Sequence, residues 1–165
     1  MHGAEILERL RRRLGAAIVE THDFRGDHTA VVSRDAIAAV LRECRDDPDL
    51  AFDVLMDLTA VDYAKFPGGE DGPRFEVVYH LVSLTHNHRL RLKVRVEEDD
   101  PVVPTSVPLW PIADWFEREV WDMFGVRFDG HPDLRRLLMY EEFVGHPLRK
   151  DYPIDRRQPL IGPKT

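Results

Sequence analysis

The stretch "RFEVVYHLVSLTHNHRLRLKVRVEE", residues 74–98, decides the fold. In its second half Leu90, Leu92, Val94 and Val96 alternate without a break with Arg89, Arg91, Lys93 and Arg95. Successive side chains of a strand point to opposite faces, so this is a strand with one apolar and one cationic face. The first half, "RFEVVYHLVSLT", is apolar on both sides, which places it centrally in a sheet. The "THNH" between the halves reads as the hairpin turn.

Upstream, "FDVLMDLTAVDY" reads as another strand, and "FPGGEDGP", residues 66–73, as the loop that follows it. "AAIVETH" and "DHTAVVS" form a further hairpin, turning around Arg25-Gly26. Residues 4–14 place Ile6, Leu7, Leu10 and Leu14 on one helical face; Arg11, Arg12 and Arg13 suit its last turn and Gly15 stops it. Ser33 is the expected N-cap of a second helix whose stripe is Ile37, Val40, Leu41 and Cys44. Downstream, the proline-rich "DDPVVPTSVPLWP" is a connector. "IADWFEREVWDMFG" is a third, amphipathic helix over 112–124, with Ile112, Phe116, Val120 and Phe124 as its expected buried stripe. These elements predict an α+β, two-layer domain, a largely antiparallel sheet of about five strands packed by helices, ending in an extended C-terminal arm. The expected division is residues 1–128 for the domain, including the third helix, and 129–165 for the signature segment and arm.

Composition narrows the function. The 165 residues carry a net charge of −7, which argues against a nucleic-acid partner. The single cysteine, Cys44, rules out an internal disulfide and any metal site or iron–sulfur cluster made only of this chain's cysteines. No apolar run is long enough to span a bilayer, and the polar, periodic start reads as neither signal nor transit peptide. His86 and His88 share one side of a strand but no nearby carboxylate completes a metal site. The cationic strand face lacks the interleaved aromatics of a single-strand binder; water and cross-strand carboxylates such as Glu76 are its expected partners.

The charged, proline-punctuated end is less ordinary. His131 and His146 each precede a proline and could serve as acid/base groups with Asp133 or Asp151 as orienters. Asp122 lies in the last turn of its helix, where a negative charge opposes the helix dipole. Its expected role, with Glu119, is to pin the Arg135-Arg136 turn against that helix. From Gly145 onward four prolines and the scattered Leu148, Tyr152, Ile154, Leu160 and Ile161 read as an arm lying on another protein.

The run from Trp115 to Pro153 resembles the signature of the 30-kDa subunit of respiratory complex I, the bacterial NADH:quinone oxidoreductase. The matching residues are Glu117, Arg118, Glu119, Asp122 and Gly125, then "HPDLRR" from His131 through Asp133, Arg135 and Arg136. They continue in "GHPLRKDYP", with His146, Arg149, Lys150 and Asp151. "LTAVDY" at 58–63 is similar to the family as well. The resemblance implies a subunit of the peripheral arm, with no catalytic residue, cofactor or metal of its own. FMN and the iron–sulfur clusters would lie in partners, chiefly the quinone-site subunit and adjacent iron–sulfur subunits. It implies a position on the cytoplasmic side of the inner membrane, touching the membrane only through the complex. An equivalent subunit of a related membrane-bound hydrogenase, or of another donor:quinone oxidoreductase, shares these motifs. The alternative from another class is a stand-alone acid/base enzyme using His131 and His146.

Overall fold

The computed structural model describes residues 3–67, 72–159 and 161. Part of the loop expected at 66–73, and Leu160 and Pro163 of the expected arm, lie outside the described residues. The elements run α1 (Gly3–Leu14), β1 (Ile18–Phe24), β2 (Asp27–Val32), α2 (Ile37–Asp46), β3 (Val54–Asp62), β4 (Phe75–Ser83), β5 (His88–Val96), β6 (Val102–Pro104), α3 (Ala113–Phe124) and β7 (Arg127–Asp129). The five-stranded sheet has the order β1-β2-β5-β4-β3. β4 and β5 pair antiparallel over nine residues, from Phe75 opposite Val96 to Ser83 opposite His88.

One ladder of this sheet is parallel, β2 with β5. Its cause is the connection through α2. The chain leaves β2, crosses to the far edge, and returns as the β3-β4-β5 meander, so β5 arrives beside β2 in the same direction. Parallel neighbours need such a long crossover, whereas the remaining strands are joined by turns or loops.

The inner sheet face brings Ala30, Val32, Leu90, Leu92, Val94, Val77, Tyr79 and Leu58 into one core with Ile6 and Leu10 of α1, Ile37 and Leu41 of α2, and Val120 and Phe124 of α3. Cys44 is buried here as packing, as its place in the α2 stripe implies. On the outer face, cations toward the Val96 end of β5 are paired across strands: Lys93 Nζ meets Glu76 at 2.7 Å and Arg95 meets Glu20 at 3.0 Å.

Three local expectations change. Ser33 makes no side-chain cap; its N–H donates to the Ala17 carbonyl, and a short 3-10 turn at Arg34–Ala36 enters α2 instead. The proline-rich connector contains β6, which pairs in parallel with β7. In α3, Ile112 is 49% exposed and Phe116 half-buried; the face turned inward is Ala113, Glu117, Val120 and Phe124. That stripe has helical spacing too, but it passes through a glutamate, and apolar counting rejects such a face. No helix among the described residues is long and apolar enough to cross a membrane.

Candidate functional site

Glu117 is fully buried because the start of the 105–107 turn surrounds its carboxylate with donors. The Ser106 N–H and Oγ donate to Oε1 at 2.6 and 2.7 Å, and Thr105 Oγ1 donates to Oε2 at 2.6 Å. Burial nonetheless dominates and raises its pKa above the usual glutamate value. The residue ties α3 to the segment leaving β6.

The next residue, Arg118, faces the 135–136 turn of the signature segment. Its Nε and Nη2 donate to the carbonyls of Arg135 and Arg136 at 3.2 and 3.3 Å. Asp122, also fully buried, accepts three successive backbone N–H groups on Oδ2, from Leu137, Leu138 and Met139, at 2.8–3.0 Å. Its Oδ1 accepts from Arg136 Nη1 at 2.5 Å. Burial alone would raise this carboxyl's pKa, but the Met139 N–H, the Arg136 guanidinium and the two other amides outweigh it and hold it below the usual range. Arg136 also donates to the carbonyls of Phe143 and Gly145, and lies over the rings of Trp121 and Phe143. Asp122 thus pins the Arg135-Arg136 turn, as its position in the last turn of α3 suggests. Glu119 does not: it is exposed and makes no ion pair among the described residues, and Arg118 fills that role from the opposite charge.

The chain then returns over the C-terminal end of α3. Gly125, left-handed at φ 79°, ends the helix and leaves room; a Cβ there would lie 2.5 Å from Arg149 and 2.7 Å from His146. Leu148 N–H donates to the Met123 carbonyl, and Arg149 Nε to the Phe124 carbonyl at 2.6 Å. These are the orphan acceptors of a helix terminus, capped by the returning strap. His146 Nδ1 lies 3.0 Å from the Asp122 carbonyl, and burial lowers the pKa of the ring.

The strap ends at the far edge of the sheet. Arg74, at the start of β4, is held by Asp62 of β3, by Glu98, and by Asp151 at 2.7 Å. The Lys150 N–H donates to Asp62 Oδ2 at 2.8 Å, while the Lys150 side chain stays exposed. Asp62 too is pushed up by burial but held below its usual pKa by Arg74 and the Lys150 and Ala64 amides. Beyond it, Tyr152 stacks on Phe143, Arg156 lies over Tyr152, and Gln158 Nε2 donates to the Val144 carbonyl and the Tyr152 hydroxyl.

The segment from Gly145 onward, expected as an arm lying on another protein, is first of all fastened to its own domain. The segment has no helix or strand among its described residues, yet through Gln158 it bonds to its own domain and to itself. Sequence patterning missed this because the contacts are made by backbone amides and guanidinium groups, not by a periodic apolar face. The boundary expected at 128/129 also falls inside β7. The histidines and their expected orienters do not meet as acid/base pairs. Asp133 binds Arg135 and Asp151 binds Arg74, while His131 accepts the Asp133 backbone N–H on Nδ1 and its Nε2 lies 3.2 Å from the Asp114 carbonyl. Asp62, Arg74, Thr105 and Ser106 were not singled out by their chemistry; only Asp62, inside "LTAVDY", carried a signal.

The same fold occurs in solved structures, among them the following two. Nqo5, solved as a trypsin-resistant fragment (1–134), has a TM-score of 0.68 and 34% identity, covering 81% of this chain and all of that one. A chain of the membrane-bound sulfane sulfur reductase, an archaeal respiratory membrane complex, has a TM-score of 0.73 and 26% identity, covering 93% of this chain and 87% of that one. The fold therefore defines a class of α+β chains, one of which is part of an archaeal respiratory membrane complex.

The profile described as respiratory-chain NADH dehydrogenase, 30 Kd subunit, matches residues 30–158, and the chain belongs to that family. Among its relatives, the NADH-quinone oxidoreductase C-subunit of Roseiflexus sp. (strain RS-1) is 51% identical, covering 93% of this chain and 86% of its own length. Its counterpart of the same description from Acidithiobacillus ferrooxidans (strain ATCC 53993 / BNL-5-31) is 48% identical, covering 91% and 77%.

Proposed function

We propose that this chain is a structural subunit of the peripheral arm of a proton-translocating NADH:quinone oxidoreductase and contributes no redox group or catalytic residue to it. FMN and the iron–sulfur clusters are carried by partners, and the quinone-site subunit and neighbouring iron–sulfur subunits are the ones it holds. The complex places it on the cytoplasmic face of the inner membrane. Family membership supports this, and one observation carries the non-catalytic part: most of the signature residues spend their polar groups on this chain itself. Asp122, Arg118, Arg136, Arg149 and Asp151 bind the chain's own backbone and side chains, so they build a rigid strap in place of a reaction centre. Cys44 supports it as well, since it is fully buried and desolvation pushes its thiol pKa far up.

The strap in turn presents Leu138, Val144, Leu148 and Ile154 to solvent. Exposed apolar side chains on a segment fastened to its own domain are suited to a protein partner. Arg149→Ala should therefore reduce the amount of assembled complex more than it reduces turnover per assembled complex. Normal assembly with slow turnover would assign Arg149 to the reaction instead. Co-purification tests the donor: recovery with a flavin-bearing NADH module supports this reading, and recovery with a nickel–iron large subunit overturns it.

A further inference from the structure

The outer face of the sheet is divided in two. Toward the Val96 end of β5 its charges are neutralised internally: Lys93 binds Glu76, Arg95 binds Glu20, and the Tyr63 hydroxyl also donates to Glu76. Toward the Arg89 end they are not. Arg89, His80 and Asp57 make no side-chain hydrogen bond or ion pair among the described residues. Arg91 has only long contacts, 3.3 Å to Asp27 and 3.5 Å to Thr29. These side chains line a trough of about 340 Å³ running across β2, β5, β4 and β3. Its apolar wall includes Val82 and Met56, which is 57% exposed.

The charge layout is specific. Two guanidinium groups stand on the central strand β5, and acids stand at both ends, Asp27 on β2 and Asp57 on β3. Asp27 is already turned to Arg91, so the unmet groups are Arg89, the second face of Arg91, His80 and Asp57. A planar guanidinium fork takes a carboxylate through two bonds at once. Burial and the neighbouring Arg91 hold His80 below its ordinary pKa, so it offers a neutral ring with a hydrogen bond to give or take.

We propose that this trough is a second docking surface, separate from the strap, for a segment of a neighbouring subunit that lays an acidic side chain on Arg89 and Arg91, an aliphatic side chain on Met56 and Val82, and a basic group toward Asp57. It rests on the reading of this chain as a subunit of a complex. A lone small anion fits less well, because Asp57 faces the same trough and would repel it. A protein segment satisfies both signs at once and covers the exposed methionine.

The test uses the whole purified oxidoreductase. Because Cys44 is buried, Met56→Cys provides a single reactive thiol, to which a maleimide–benzophenone is attached before reconstitution. Photolysis should yield one adduct with another subunit, at a peptide carrying an Asp or Glu beside an aliphatic residue. Arg89→Glu should weaken retention of this chain in the complex about tenfold. Reversing the charge of the crosslinked acid should restore it, and Arg11→Glu on the exposed side of α1 should change nothing. Adducts only within this chain, adducts with a second copy, or unchanged retention of Arg89→Glu overturn the proposal. So does saturable binding of citrate or inorganic phosphate to the isolated chain that is lost with Arg89→Glu. Failure of the subunit reading itself would look different, since the chain would then be missing from the purified oxidoreductase altogether.

Discussion

Asp122 shows how one carboxylate can hold a segment without regular structure. It neutralises Arg136 and satisfies three consecutive amides that have no helix or sheet to join. Asp122→Ala would strand a guanidinium that is 13% exposed along with those amides, and should cost about 3–5 kcal/mol in chemical denaturation. Its depressed pKa fixes the sign of the pH dependence. The folded state binds its proton only at lower pH than the unfolded chain, so Asp122 stabilises fully above the usual aspartate range of about 3.9. That contribution is lost as pH falls through the folded value. Asp122→Asn should therefore flatten the acid limb of a stability–pH curve. Glu117 has the opposite sign, because its folded pKa is raised. Its contribution is greatest below the ordinary glutamate range and declines as pH rises through the folded value, and Glu117→Gln should remove that decline.

At the scale of elements, the strap and α3 form one unit whose joint is Gly125. A left-handed residue with a Cβ costs about 1–2 kcal/mol, and here the Cβ also meets His146 and Arg149. Gly125→Ala should lower stability by at least that much, with faster amide exchange at Leu148 and Lys150 than anywhere in β4 or β5. Arg74→Ala should loosen the other end, since Asp62, Glu98 and Asp151 share that one guanidinium. Exchange should rise at Lys150, whose amide rests on Asp62, and the sheet should remain protected. The third helix is rotated away from its apolar stripe because a helix face is chosen by what its neighbours can satisfy. The turn after β6 supplies donors that make Glu117 an inward residue.

For the whole molecule, the core joins α1, α2 and α3 to one face of the sheet. Leu92→Ala on the central strand should cost about 2–5 kcal/mol and lower the midpoint of the whole unfolding transition. The hairpins, the three helices, the inner place of β4 and the one-sided burial of β5 were legible, because periods of 2 and 3.6 residues report directly which face is buried. The order of the strands was less so: nothing in the local pattern of β2 says that its neighbour lies 62 residues away, as Arg91 beside Thr29 does. The strap was hardest to read, since its anchors Asp62, Arg74, Asp122 and Asp151 are scattered along the chain.

The sequence by itself determined the three helices and the five strands of the main sheet, the apolar face of β5, the family signature and the role of Asp122 toward the Arg135-Arg136 turn. Those follow from spacing along the chain and from the expense of leaving a charge without a counterpart. Only the tertiary structure decided that Glu117 points inward, that β2 and β5 run parallel, and that the C-terminal segment closes on its own domain. Each of these depends on hydrogen-bond donors and acceptors brought together from distant positions, and chain spacing carries no record of which of them will meet.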